Sequence, residues 1–198
     1  MRPQRKIFLS LLAASGVGLL AALLAGRGAE AQPPSENRWT ELAKLDDKTR
    51  ALVVNWLEKD CEAAEKRRLI DQLVAVGVRL EPVFREAYRL GPPPERIEQD
   101  RAVAKIAFEQ RQAWLRENGE QMMGDEARTL LATTPDAYAD RQLANVAIGW
   151  RERALMGLGL VGDDKALADL QRIAADPKAP LAAAAKRGIE ERLKLRKP

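Results

Sequence analysis

The chain has 198 residues, 33 basic against 29 acidic, no histidine and one cysteine, for a formal net charge of +4. The missing histidine excludes Ser-His and Cys-His nucleophile systems, and with Cys61 alone it leaves no zinc or haem site of ordinary type. A lone cysteine also excludes an intrachain disulfide, so stability has to come from packing.

Arg2, Arg5 and Lys6 form a basic start, residues 7–24 are an uncharged apolar run, and Ala29-Glu30-Ala31 supplies a small-x-small site. This pattern predicts a signal peptide over 1–31, cut between Ala31 and Gln32, and a periplasmic or secreted location. The alternative is anchoring to the inner membrane by residues 7–24, a run at the lower limit for a span and interrupted by Ser15, Gly16 and Gly18. Arg5-Lys6-Ile7-Phe8-Leu9 resembles a degenerate twin-arginine signal, but the arginine pair is missing, so an ordinary secretory signal is expected. The Ala-, Leu- and Arg-rich composition fits a bacterial source. The segment holds four of the 33 basic residues and one of the 29 acids, leaving 29 against 28 in residues 32–198. So balanced a chain carries no footprint for nucleic acid. Membrane contact is expected only through an uncleaved signal. The basic group Arg192, Lys194, Arg196 and Lys197 complements the negative end of a last helix. Asp60 and Glu62 oppose thiolate formation at Cys61, which reads as an inert thiol; a disulfide-linked dimer through it stays open.

Helical signals then follow one another. Trp39, Leu42 and Leu45 predict a short helix. Asp46 and Asp47 cap a second, with Leu52, Val53, Trp56 and Leu57 on its apolar stripe. A third runs from about Glu62 to Val76 and stops at Gly77, and Pro82 opens a fourth that Gly91-Pro92-Pro93-Pro94 ends. A long helix is expected from Pro94 to Asn118, with a polar front that projects or forms a lip and a packed second half carrying Val103, Ile106, Ala107, Phe108, Trp114 and Leu115. Gly119 and Gly124 bracket a loop, and Asp125 to Thr133 gives a short helix. Thr134-Pro135-Asp136 starts a helix reaching Val161, in which Gly149, Gly157 and Gly159 indicate close packing or a bend. Helices over about 164–175 and 180–195 complete an all-α, single domain over 32–198.

An internal repeat is the most informative pattern. Arg68-x-Ile70-x-x-Leu73-x-x-Val76-Gly77 aligns with Arg153-x-Leu155-x-x-Leu158-x-x-Val161-Gly162, and with one inserted residue Phe84 and Ala87 match Leu170 and Ile173. Residues 151–193, with Gly162-Asp163, Ala166-Leu167-x-x-Leu170, the Asp176-Pro177 turn and an Ala-rich helix, resemble a HEAT-like repeat of the phycobilin-lyase type. Residues 67–90 resemble it less well, with Val78 where the family prefers Asp, and Gly91 to Pro135 does not match. The resemblance implies a short right-handed α-superhelix of stacked hairpins, at about 62–91 and 136–195, whose concave face binds protein. An irregular helical bundle is the alternative fold.

No motif for catalysis, metal or cofactor stands out. The adjacent acids Asp46-Asp47, Asp125-Glu126, Asp163-Asp164 and Glu190-Glu191 point apart on helices and read as caps and first-turn acids. Met122-Met123 reads as the edge of a core, and Trp39, Trp56, Trp114 and Trp150 fall at amphipathic positions. The expectation is a non-enzymatic interaction protein without cofactor, with Arg101, Phe108, Trp114, Arg151 and Arg153 as candidate partner contacts. The alternatives are an accessory or chaperone subunit of an exported enzyme complex, and a carboxylate-dependent hydrolase.

Overall fold

The computed structural model describes residues 39–58 and 63–195. The expected signal, its cleavage site at Ala31 and Gln32, and Cys61 lie outside them. The described residues form eight α-helices and no strand: α1 (Asp47–Glu58), α2 (Ala63–Val76), α3 (Glu81–Leu90), α4 (Pro94–Met123), α5 (Asp125–Leu131), α6 (Pro135–Val161), α7 (Asp164–Ala175) and α8 (Ala182–Leu195).

Local chemistry fixes three of the helix starts. Asp46 accepts from the Thr49 amide at 3.0 Å and from the Thr49 hydroxyl at 2.7 Å, which opens α1. The hydroxyl of Thr134 accepts from the Ala137 amide at 3.1 Å ahead of Pro135, and Asp163 accepts from the Ala166 amide at 2.9 Å to start α7. Each bond satisfies an amide that the first turn of a helix leaves unpaired. The C-end of α3 is closed by Gly91, whose φ of 76° suits glycine alone without strain.

The second half of α6 is the axis of the body. Residues 154–161 are buried without interruption, as expected of a helix apolar on every side. Around it pack α1, α2, α3, α7 and α8, with α8 making the most extensive contact. Gly159 and Gly188 bring the backbones of α6 and α8 together: a Cβ on Gly159 would overlap the Gly188 carbonyl, and one on Gly188 would lie 2.7 Å from the Leu155 carbonyl oxygen. Of the two explanations for the α6 glycines, close packing therefore holds at Gly159. The repeat positions Ile70, Leu73 and Phe84 and their counterparts Leu155, Leu158 and Leu170 are all buried.

A buried carboxylate secures the first described segment. Glu86 on α3 accepts from the amides of Thr40, Glu41 and Leu42 at 2.7–3.1 Å and from the Thr40 hydroxyl at 2.9 Å. That segment forms only a 3-10 turn, Leu42–Lys44, where the sequence predicts a short helix. With its amides bound to Glu86, it is held as a strap across the body. Trp39 on the strap meets Trp150 edge-on, ring centroids 6.1 Å apart.

Two expectations about α4 are corrected. The helix continues through Gly119 to Met123 and breaks only at Gly124, where φ is 52°. Gly119 stays helical because the absence of a side chain lets α5 close on it: a Cβ there would stand 3.0 Å from Ala127 Cβ. The polar front, expected to project, is tied down, and the second half is only partly packed. Arg96 reaches Glu58 on α1 at 2.8 Å and Asp100 at 2.9 Å, whereas Val103 and Ile106 are 62% and 56% exposed.

Candidate interaction surface

At 30 residues α4 extends about 45 Å, and its main packing partners are α5 and the first half of α6. These three elements form an arm leading away from the α6–α8 crossing. Its two long helices run antiparallel, as the ion pairs Arg101–Asp140 (2.7 Å) and Lys105–Asp136 (2.6 Å) show. The Lys105 ammonium, through its hydrogen bond and then its charge, holds the Asp136 carboxyl below its ordinary range. At the root of the arm Arg96 is raised above its ordinary value, chiefly by its hydrogen bond to Asp100.

Two apolar stripes share α4. Phe108 and Leu115, seven residues apart, face inward; Phe108 is fully buried and stacked on Tyr138 at 4.6 Å. The second comprises Val103, Ile106, Ala107 and Trp114, and by helical geometry it lies about 120° from the first. Its members are exposed, Trp114 to 38%. Beside it an open groove of about 220 Å³ runs between α4 and α6, walled by Val103, Ala104, Ala107, Tyr138, Leu143 and Val146, with Asp100 and Gln142 as its polar groups. That volume is below the roughly 300–1,000 Å³ of small-molecule sites and suits a side chain from a partner.

The five candidate contacts from the sequence divide between arm and body. Arg101, Phe108 and Trp114 all lie on α4, but only Trp114 belongs to the outer stripe. Arg101 is on the opposite flank, bound to Asp140, and Phe108 is inside. Arg151 donates from Nε to the Tyr88 carbonyl at 3.2 Å, its guanidinium covering Gly91. Arg153 donates from Nη1 to the Leu57 carbonyl at 2.8 Å and accepts the Trp56 indole N–H on its own carbonyl at 2.9 Å. Both arginines thus satisfy carbonyls in the last turns of α3 and α1. Val103 and Ile106, expected in the packed half of the helix, are exposed; their i, i+3 spacing, out of phase with Phe108–Leu115, is the signal that separates them.

Met122 also departs from expectation, 66% exposed at the end of α4 instead of filling a core edge. Of the acids, Asp46 and Asp163 are helix caps, Asp125 pairs with Arg128, and Asp164 pairs with the buried Arg192 at 3.0 Å. Arg192 also donates to the Gly162 and Asp163 carbonyls, so this member of the C-terminal basic group braces the α6–α7 turn. Among the described residues no cluster of three or more Cys, Asp or Glu is placed to hold a metal ion, and no helix is long and apolar enough to cross a membrane.

The site is therefore an apolar stripe and groove on an all-α body, with Asp100 and Gln142 as its polar margin. The chain matches no protein-family model, no curated protein and no solved structure.

Proposed function

We propose that the chain is an exported, non-enzymatic helical module, built on HEAT-like hairpins, that binds a protein partner through the outer face of its α4–α6 arm. The observation that carries this reading is the exposure of Val103, Ile106 and Trp114 in one stripe beside an apolar groove. Contiguous apolar surface of this kind marks interaction sites, and aromatic enrichment with depletion of charge is the signature of their centres. Matching burial at Ile70/Leu155, Leu73/Leu158 and Phe84/Leu170 supports a shared hairpin unit. Where a HEAT array would use a concave face, this reading uses the apolar stripe of the arm.

The test places a photo-crosslinking amino acid at Trp114, and in a control at the exposed Arg67 of α2, in a bacterial host exporting the chain. A defined protein adduct at Trp114, absent at Arg67, is the expected result. No adduct at Trp114 under conditions that label an engineered control interface would overturn the proposal.

A further inference from the structure

We infer that Asn118-Gly119, near the end of α4, is a site of spontaneous deamidation, and that α5 gates the reaction. The chemistry needs only this dipeptide and water. Base takes the Gly119 amide proton and the nitrogen attacks Asn118 Cγ. The Cγ–Nδ2 bond then breaks as Nδ2 takes a proton from water and leaves as ammonia, closing a succinimide ring. Water opens the ring at Cγ to give aspartate, or at the backbone carbonyl to give isoaspartate. Of Asn37, Asn55, Asn118 and Asn145, only Asn118 precedes a glycine. With no side chain, glycine leaves the attacking nitrogen unhindered and the backbone free to turn.

Packing keeps this reactive pair in place. Gly119 is buried where α5 closes on α4, and a Cβ there would stand 3.0 Å from Ala127 Cβ and 3.1 Å from Leu115 Cδ2. A larger residue at 119 would push α5 away. The fold thus retains beside Asn118 the neighbour that hinders its ring closure least.

The closed arm also holds the reaction back. The Asn118 side chain leans toward the N-terminus of α4, its Nδ2 donating to the Trp114 carbonyl at 3.1 Å. Cγ is thereby turned from the Gly119 nitrogen, whose N–H the helix directs to the carbonyl four residues back. Attack requires residues 118 and 119 to leave helical geometry, which Gly119 cannot do beneath α5. This end of the arm is built to open before the body. Asparagine and glycine are poor helix formers, the helix breaks at Gly124 with φ 52°, and α5 is seven residues packed mainly on α4. The product is a lasting change: a carboxylate one turn beyond Trp114, toward the negative end of the α4 dipole, or an isoaspartate that carries the chain through Cγ and interrupts the helical ladder.

The test incubates the protein, purified from the envelope of the exporting host, at mildly alkaline pH in heavy-oxygen water and follows each asparagine by peptide mass mapping. Asn118 is expected to convert to aspartate and isoaspartate while Asn55 and Asn145 stay intact. Its rate should be at least about tenfold below that of the same protein unfolded in guanidinium chloride. Ala127→Glu, which sets a charge against Gly119, should raise the native rate at least about fivefold. Ala127→Gly, which only removes the covering Cβ, should act in the same direction. Hydrogen exchange that quickens in residues 115–131 and stays unchanged in α8 would show that the body of each variant remains folded. Asn118 intact in the native protein, while it reacts in the unfolded chain, would overturn the site. A native rate equal to the unfolded one, or unmoved by both variants, would overturn the gate.

Discussion

Two glycines on one helix should respond to the same substitution with opposite signs. Gly149 on α6 has no heavy atom within 4 Å of the place its Cβ would occupy, and its φ is not positive. Gly149→Ala therefore gains the helix propensity alone, about 1 kcal/mol, which at this chain length raises Tm by about 2–4 °C. Gly159→Ala gains the same propensity, but its methyl group collides with the Gly188 carbonyl. That obstacle is backbone and cannot rotate aside, so α6 and α8 must separate and loosen Ala184 and Ala185, both fully buried. Overpacking of a core costs about 1–3 kcal/mol. With a rigid obstacle we take about 3, for a net loss of about 2 kcal/mol and a Tm lower by about 4–8 °C. Thermal melts followed by circular dichroism, with urea titration as a second measure, read both changes. A Gly159→Ala protein as stable as the wild type would refute the backbone-to-backbone crossing. A destabilised Gly149→Ala would refute an open, unbroken α6 at that position.

The strap offers a second test. Glu86→Gln replaces one carboxylate oxygen with an N–H₂ group facing the Thr40–Leu42 amides, and should cost about 1.5–3 kcal/mol; faster hydrogen exchange at residues 40–42 checks it, and unchanged exchange would contradict the anchoring. Acid should act through Asp136, Asp163 and Asp169, whose carboxyls are lowered chiefly by Lys105, the Ala166 amide and Arg85 respectively. A depressed carboxylate stabilises above its unfolded pKa, so Tm should hold from about pH 5 to 8, where no histidine titrates, and fall below about pH 4. A step near pH 6.5, or a Tm unchanged at pH 2, would contradict this.

Much of the body was legible because its boundaries are local events. Asp46, Thr134-Pro135, Asp163 and Gly91 each act on amides or carbonyls within a few residues, so their chemistry appears in the sequence as short motifs. The α6–α8 crossing was half legible. Repeated glycines announced close packing or a bend, yet only the fold names Gly188 as the partner of Gly159. The bonds of Arg151 and Arg153 were not legible: an arginine chosen as a surface contact and one that satisfies a distant helix end look alike along the chain. Their partners, Tyr88 and Leu57, are 63 and 96 residues away.

The arm inverts the expected order of its apolar and charged residues for a physical reason. Sequence periodicity credits every apolar residue on a helix to one core, and charge to one solvent face. In α4 the charged residues Arg96, Arg101 and Lys105 make the inward and anchoring contacts, to Glu58, Asp140 and Asp136. The apolar residues Val103, Ile106 and Trp114 face out. Among the described residues the short helix after α4, α5, closes on Gly119 and leaves the stripe exposed. Exposed ion pairs contribute little stability on their own, so the arm gains little by fixing its charges against α6. What the arrangement does achieve is to clear charge from one flank of a long helix, which is the condition an apolar interface requires. The distribution of charge around α4 thus accompanies the exposed stripe of Val103, Ile106 and Trp114 on which the proposed interaction surface rests.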